Sequence, residues 1–141
     1  MNRNAGIALD REILRHGPPV VEETSYYASL SPQDVALLVS CLDLTTLAGD
    51  DTDQRVSALC RQALEPVPGI APDTPRPAAV CVYPVFVPLA LELLAGSPVR
   101  VATVAGAFPH GLGSLSCRVG EVREAVATGV HEVDIVIRRS H

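Results

Sequence analysis

From residue 31 onward the chain alternates short apolar runs with segments in which apolar residues recur every three or four positions, the pattern of strands alternating with amphipathic helices. In SPQDVALLVSCL, Ser31 suits an N-cap, Pro32 the first helical position, and Asp34 the positive end of the helix dipole, which predicts a helix over 32–40. CLDLTTL (41–47) reads as a short strand with Asp43 and Thr45 on one face and Leu42 and Leu44 on the other. Asp51 or Thr52 in the following GDDTD turn can cap a helix over 53–64, whose Val56, Leu59, Cys60 and Ala63 form one apolar stripe. The proline-rich EPVPGIAPDTPRP (65–77) fits only a surface connection.

AAVCVYP (78–84) is a continuous apolar run, as expected of a parallel strand buried on both faces. A helix over 86–95 with Gly96 at its end follows, then a third strand in VRVATVAGAF (99–108) and a glycine-rich turn, FPHGLGS. SLSCRVGEVREAVATG is a helix with the stripe Leu115, Val119, Val122 and Val126, closed by Gly129, and HEVDIVI (131–137) is the fourth strand. Residues 1–30 carry a weak helical pattern broken at Gly17-Pro18-Pro19 and read as an amino-terminal extension, with the domain proper at 31–141.

Strands and helices in strict alternation demand a parallel sheet of the α/β class. Two architectures accept it: an open doubly wound sheet, or part of a TIM (β/α)8 barrel, which needs about 250 residues against the 141 present. In both, reactive groups gather at the carboxyl ends of the strands, where this chain has Asp43, Thr45, Cys81, Tyr83, the FPHG turn and Asp134.

Composition narrows the function classes. The net charge of -5 gives no basic footprint for nucleic acid, and no apolar run approaches the roughly 18–20 residues needed to span a bilayer, so a cytosolic protein is expected. The four cysteines, Cys41, Cys60, Cys81 and Cys117, form no CxxC pair and lie in apolar segments, so reduced and mostly buried thiols are expected. All 11 basic residues are arginine.

Asp134 interrupts a strand expected to be buried, where an unpaired carboxylate costs several kcal/mol; it is either a structural acid with a partner or a working one. Asp43 and Thr45 can point together into an interior and bind polyol hydroxyls, or Asp43 can simply tie down the next turn. Cys81, with no histidine near it in sequence, fits packing better than nucleophilic attack. His110 sits in a turn whose amides could take an anion, although Pro-His-Gly is also an ordinary turn. GLGS lacks the remainder of a dinucleotide fingerprint, and His16, His131 and His141 have no partners at metal spacing and are expected to be solvated. No metal site is expected.

LDLTTLAGDDT, AAVCVYPVFV, VATVAGAFPHG and EVREAVATGVHEVDIVI, in that order, resemble the deoxyribose-phosphate aldolase family from about Leu42 to Arg139. The resemblance implies the first half of a TIM barrel that cleaves 2-deoxyribose 5-phosphate to glyceraldehyde 3-phosphate and acetaldehyde, a step of deoxyribonucleotide catabolism. The reaction runs through a Schiff base on lysine, with no cofactor or metal. On the same resemblance Asp134 matches the fourth-strand acid of the proton relay, Asp43 and Thr45 the first-strand positions facing the sugar, and Cys81 the second-strand cysteine beside the site. The Schiff-base lysine belongs to a later strand of that family, and this chain has no lysine. Two departures are local: Val85 stands where relatives often have a polar residue, and the VAGAFPHG turn is one residue longer.

The expectation is therefore a truncated lyase chain, inactive by itself, that self-associates or meets a complementary barrel half. The alternative is a non-catalytic half-barrel or small doubly wound module binding a sugar phosphate or a partner protein.

Overall fold

The computed structural model describes residues 30–65 and 75–138. By its contacts the chain divides into two units, Met1–Ser31 and Pro32–His141, and all but the first two described residues lie in the second. Residues 1–29 of the expected extension, with His16 among them, most of the proline-rich connection, Arg139 and His141 fall outside the described residues.

Helix α1 (Pro32–Ser40) starts at its proline, which lacks an N–H that would go unpaired there, and leads into β1 (Asp43–Thr45). The turn after β1 folds around Asp51, whose side chain is only 1% exposed. Its carboxylate accepts the Thr46 hydroxyl at 2.8 Å, the Ala48 N–H at 2.9 Å and Arg55 Nη1 at 3.2 Å. Burial alone would raise its proton affinity, but these donors outweigh burial and hold the carboxyl below its ordinary range. Asp51 thus closes the turn, while the neighbouring Thr52 caps α2 (Asp53–Leu64), its hydroxyl accepting the Arg55 N–H.

Strand β2 (Ala79–Val82) is buried throughout. The helix expected from residue 86 begins instead as a 3-10 turn, Pro84–Phe86, and continues as α3 (Val87–Leu93). Two prolines explain the break: Pro84 seeds the tight turn, and Pro88 at the second position of α3 has no N–H to offer the turn before it. Strand β3 (Arg100–Ala105) is buried except at Arg100, α4 (Leu115–Ala127) is capped by Ser114, and β4 (Glu132–Ile135) closes the order.

All pairings are parallel, in the order β1-β2-β3-β4. A doubly wound sheet reverses its strand order and carries helices on both faces. Here the order runs straight through. Val80, Val82 and Val101 pack against Val56, Cys60 and Ala63 of α2 and Val87 and Ala90 of α3, so one face holds the helices and most of the buried core. The buried apolar residues described on the opposite face are Ala79, Cys81, Ala102 and Val104, with the loop residues Leu47, Tyr83 and Phe108 against them. Among the described residues, helices on one face and loops alone on the other are the half-barrel arrangement, not the doubly wound one.

Strand β4 departs from expectation. A fully buried strand is expected over 131–137, but among the described residues β4 bonds only to β3, and its Glu132, Asp134 and Ile135 are exposed. The α4 stripe is likewise uncovered: Leu115 is 74% exposed, Val119 and Val126 are exposed, and the buried residue of the helix is Ala125. Sequence periodicity identifies an apolar face without saying whether another element lies over it. Among the described residues no helix is long and apolar enough to cross a membrane.

Candidate functional site

The pleat and the strand register assemble the face opposite α2 and α3. Asp43 lies opposite Ala79, which lies opposite Arg100; Thr45 faces Cys81, which faces Ala102, which faces Glu132; and Val104 faces Asp134. Alternate residues share a face, so Asp43, Thr45, Cys81, Glu132 and Asp134 all project to one side. The small side chains of Ala79 and Ala102 form a low floor between acids on the two edge strands.

The acids on this face act on one another and on Cys81. The Asp43 carboxyl is pushed above its ordinary value first by partial burial and then by Glu132 and Asp134. The Cys81 thiol is pushed up to about 11, again first by burial and then by Asp134, Asp43 and Glu132. Cys81 is therefore a neutral thiol within the field of three acids, in keeping with packing rather than attack. Cys60 is buried as expected, whereas Cys41 and Cys117 are exposed, against the expectation of mostly buried thiols.

The structure brings all four sequence candidates to this face, but it corrects the premise for Asp134. That side chain is exposed rather than buried, because nothing pairs with the outer edge of β4 among the described residues. Glu132, not singled out from the sequence, stands two residues before Asp134 and hence on the same face; the period of two carried that signal. Arg100 Nε lies 4.0 Å from the Glu132 carboxylate and puts a basic group near the acids.

The carboxyl end of β3 is fastened by two helix residues that sequence reasoning also missed. Glu121 of α4 accepts the Gly106 and Ala107 N–H groups at 2.8 and 2.7 Å. Those bonds, the Ala107 one foremost, hold its carboxyl below the ordinary range. Arg118 donates to Gly106 O and to Val136 O at 3.1 and 2.7 Å, tying the exit of β3 to that of β4. Ala107, held in this grip, has φ +62°, uncommon for a residue with a Cβ. Both clamps lie off the apolar stripe, so periodicity gives no hint of them.

Gly111, at φ +68°, passes so close to Ile137 that a Cβ would stand 3.0 Å from its carbonyl oxygen; only glycine fits. Phe108 packs edge-on to Tyr83 with ring centres 6.4 Å apart, roofing the upper floor. Beside them a cavity of about 480 Å³ is lined by Val85, Val104, Glu121 and Glu124 among others. His110 is exposed and its N–H bonds Ala107 O, which is the ordinary-turn reading. His131 is not simply solvated: its Nδ1 accepts the Val101 N–H at 3.0 Å, joining the start of β4 to β3. No group of side chains suited to a metal ion occurs among the described residues.

No family model matches the chain. Solved structures do. Deoxyribose phosphate aldolase from Aeropyrum pernix, a tetramer, superposes with a TM-score of 0.60 at 27% identity, covering 77% of this chain and 41% of its own. An aldolase designated QR15 gives 0.57 at 32% identity, over 71% of this chain and 40% of its own. A candidate deoxyribose-phosphate aldolase from Coccidioides immitis gives 0.55 at 27% identity, over 77% and 49%. The chain thus spans less than half the length of the structures it matches. Four parallel strands in sequential order, with helices on one face, make this chain similar in fold to part of a deoxyribose-phosphate aldolase barrel.

Proposed function

We propose that the chain contributes the carboxylate side of a Schiff-base aldolase site acting on 2-deoxyribose 5-phosphate, a cytosolic lyase activity of deoxyribonucleotide catabolism. The observation that carries this reading is the gathering of Asp43, Thr45, Cys81 and Asp134 on one open face of the sheet. In such chemistry a neutral amine adds to the sugar carbonyl, and water leaves to give an iminium. The hydroxyl beside the scissile bond loses its proton and becomes the aldehyde of glyceraldehyde 3-phosphate, while the electron pair of the breaking carbon–carbon bond passes to the iminium and leaves an enamine; protonation at carbon and hydrolysis by water then release acetaldehyde and restore the amine. Asp134, exposed and open to a reacting group, would carry the protons that addition and dehydration require, while Asp43 and Thr45 would bind sugar hydroxyls. The amine must come from another polypeptide segment: this chain has no lysine, and arginine stays charged and cannot form the adduct.

The test is a chimera in which this chain replaces the stretch it matches in the Aeropyrum pernix aldolase, assayed for acetaldehyde release. Activity should appear, and Asp134→Asn should lower kcat by about 100- to 10,000-fold without moving the melting temperature. Full activity in Asp134→Asn would remove Asp134 from the reaction. The missing lysine also favours a second reading, a module that binds the sugar phosphate without cleaving it. Saturable binding of 2-deoxyribose 5-phosphate to the chain, together with an inactive chimera, would establish that reading instead.

A further inference from the structure

The cavity of about 480 Å³ lies where the exits of β2 and β3 meet α4. Its walls belong to consecutive elements in the middle of the chain, and neither edge strand of the sheet contributes to them. The volume falls within the range of about 300–1,000 Å³ usual for small-molecule sites. The strand exits supply Pro84, Val85, Val104 and Ala105, with the rings of Tyr83 and Phe108, and none of these groups carries charge. Facing them, Glu121, Glu124 and Ala125 of α4 and its C-cap Thr128 recur at helical spacing and share one side of the helix. Two carboxylates therefore share the cavity with an apolar wall.

The polar groups there are ready to accept hydrogen bonds. Glu121 commits Oε2 to the Gly106 and Ala107 N–H groups, while its Oε1 receives the weak Cys117 S–H at 3.6 Å. Glu124 is exposed and enters no hydrogen bond or ion pair among the described residues. The Thr128 hydroxyl donates to Ala125 O at 2.7 Å, so its oxygen is left to accept. No basic side chain lines the cavity: Arg118 is turned to Gly106 O and Val136 O, and Arg123 stands in the wall of a separate cavity beside Ile135.

We infer that this cavity binds a small organic cation, an arylalkyl- or alkylammonium, whose ammonium donates to Glu121 and Glu124 while its apolar body lies against Val104 and the Tyr83 and Phe108 rings. Hydrogen bonds from an ammonium to a carboxylate are roughly twice as strong as neutral ones, and a ring face attracts a cation within about 6 Å of its centre. Acids and rings thus favour the same ligand. The Glu121 carboxyl, held below its ordinary range by the Ala107 N–H above all, stays ionised in neutral solution. A free small molecule fits better than a protein segment: among the lining residues the exposed large apolar side chain is Val85, so no wide apolar surface surrounds the cavity for a polypeptide to cover. The site is independent of the proposed aldolase chemistry, whose substrate carries the opposite charge.

The probe is tryptamine. Its matched controls are tryptophol, in which a hydroxyl replaces the ammonium, and indolepropionate, which carries a carboxylate. The full chain, isotopically labelled, is titrated with each at low salt and neutral pH, and amide shifts in its NMR spectrum report where binding occurs. Tryptamine should move the signals of Val104, Ala105, Phe108 and Ala125 saturably, with a Kd roughly tenfold below that of tryptophol, while indolepropionate leaves them in place. Glu124→Gln should narrow the advantage of the amine and Glu124→Lys should abolish it. Glu124 holds no backbone group, so both variants should melt as wild type does, and Glu124→Gln alone decides if the reversed charge unfolds the chain. The inference is overturned if no saturable shift appears at these residues, if tryptamine and tryptophol bind equally, or if the preference for the amine is unchanged in a folded Glu124 variant.

Discussion

Asp43→Asn should stabilise the isolated chain at neutral pH, an unusual outcome for a polar substitution near a site. The Asp43 carboxyl has a raised proton affinity in the fold, first from partial burial and then from Glu132 and Asp134, and it receives no hydrogen bond among the described residues. A group with a raised folded-state pKa gains stability from its protonated form. That contribution is complete below the ordinary value of 3.8 and is lost as pH rises through the higher folded value. At pH 7 the charge is therefore a liability, which asparagine removes at nearly the same volume. Asp43 is exposed and the face is open to water, so solvent screens the repulsion to about 0.5 kcal/mol or less. For a unit of this size that is a rise of at most about 2–4 °C in Tm. Melts of both proteins between pH 3 and 8 check this, since the gain should shrink to nothing at the acid end. A destabilised variant at pH 7, or a gain of equal size at every pH, would refute the placement of the three acids on one face.

Three further outcomes follow from other parts of the molecule. Iodoacetamide at pH 8 should label exposed Cys41 and Cys117 well before Cys60 and Cys81, with Cys81 slowest because its thiol is pushed up to about 11; intact mass against time, with peptide mapping, reads the order, and early labelling of Cys81 would contradict its burial. Glu121→Gln should speed hydrogen exchange at Gly106 and Ala107, whose N–H groups the carboxylate holds. Because the Glu121 carboxyl is depressed, its contribution is present above the ordinary value of 4.5 and fades as pH falls through the lower folded value, so wild type and variant should converge in acid. The isolated chain should release no acetaldehyde from 2-deoxyribose 5-phosphate, and borohydride should trap no adduct at an internal site, since no lysine is available; acetaldehyde release, or an internal adduct located by intact mass and peptide mapping, would overturn the reading that the amine comes from another polypeptide segment.

The order of elements was legible because each carries a local physical cause. α2 begins and ends where the Thr52 cap and the Val56, Cys60 and Ala63 stripe place it, and β2 is buried along its whole length as its apolar run implied. The candidate face was legible too, since a period of two puts Asp43 with Thr45 and Glu132 with Asp134 without further information. Three features depend on what lies across space, and the chain order does not encode that. The α4 stripe looks like a core face, yet Leu115, Val119 and Val126 are exposed. Glu121 and Arg118 look like solvated helix positions yet grip the turn at Gly106 and Ala107 through contacts more than ten residues distant. The His131 imidazole reaches a backbone N–H across 30 residues, a contact no spacing rule anticipates.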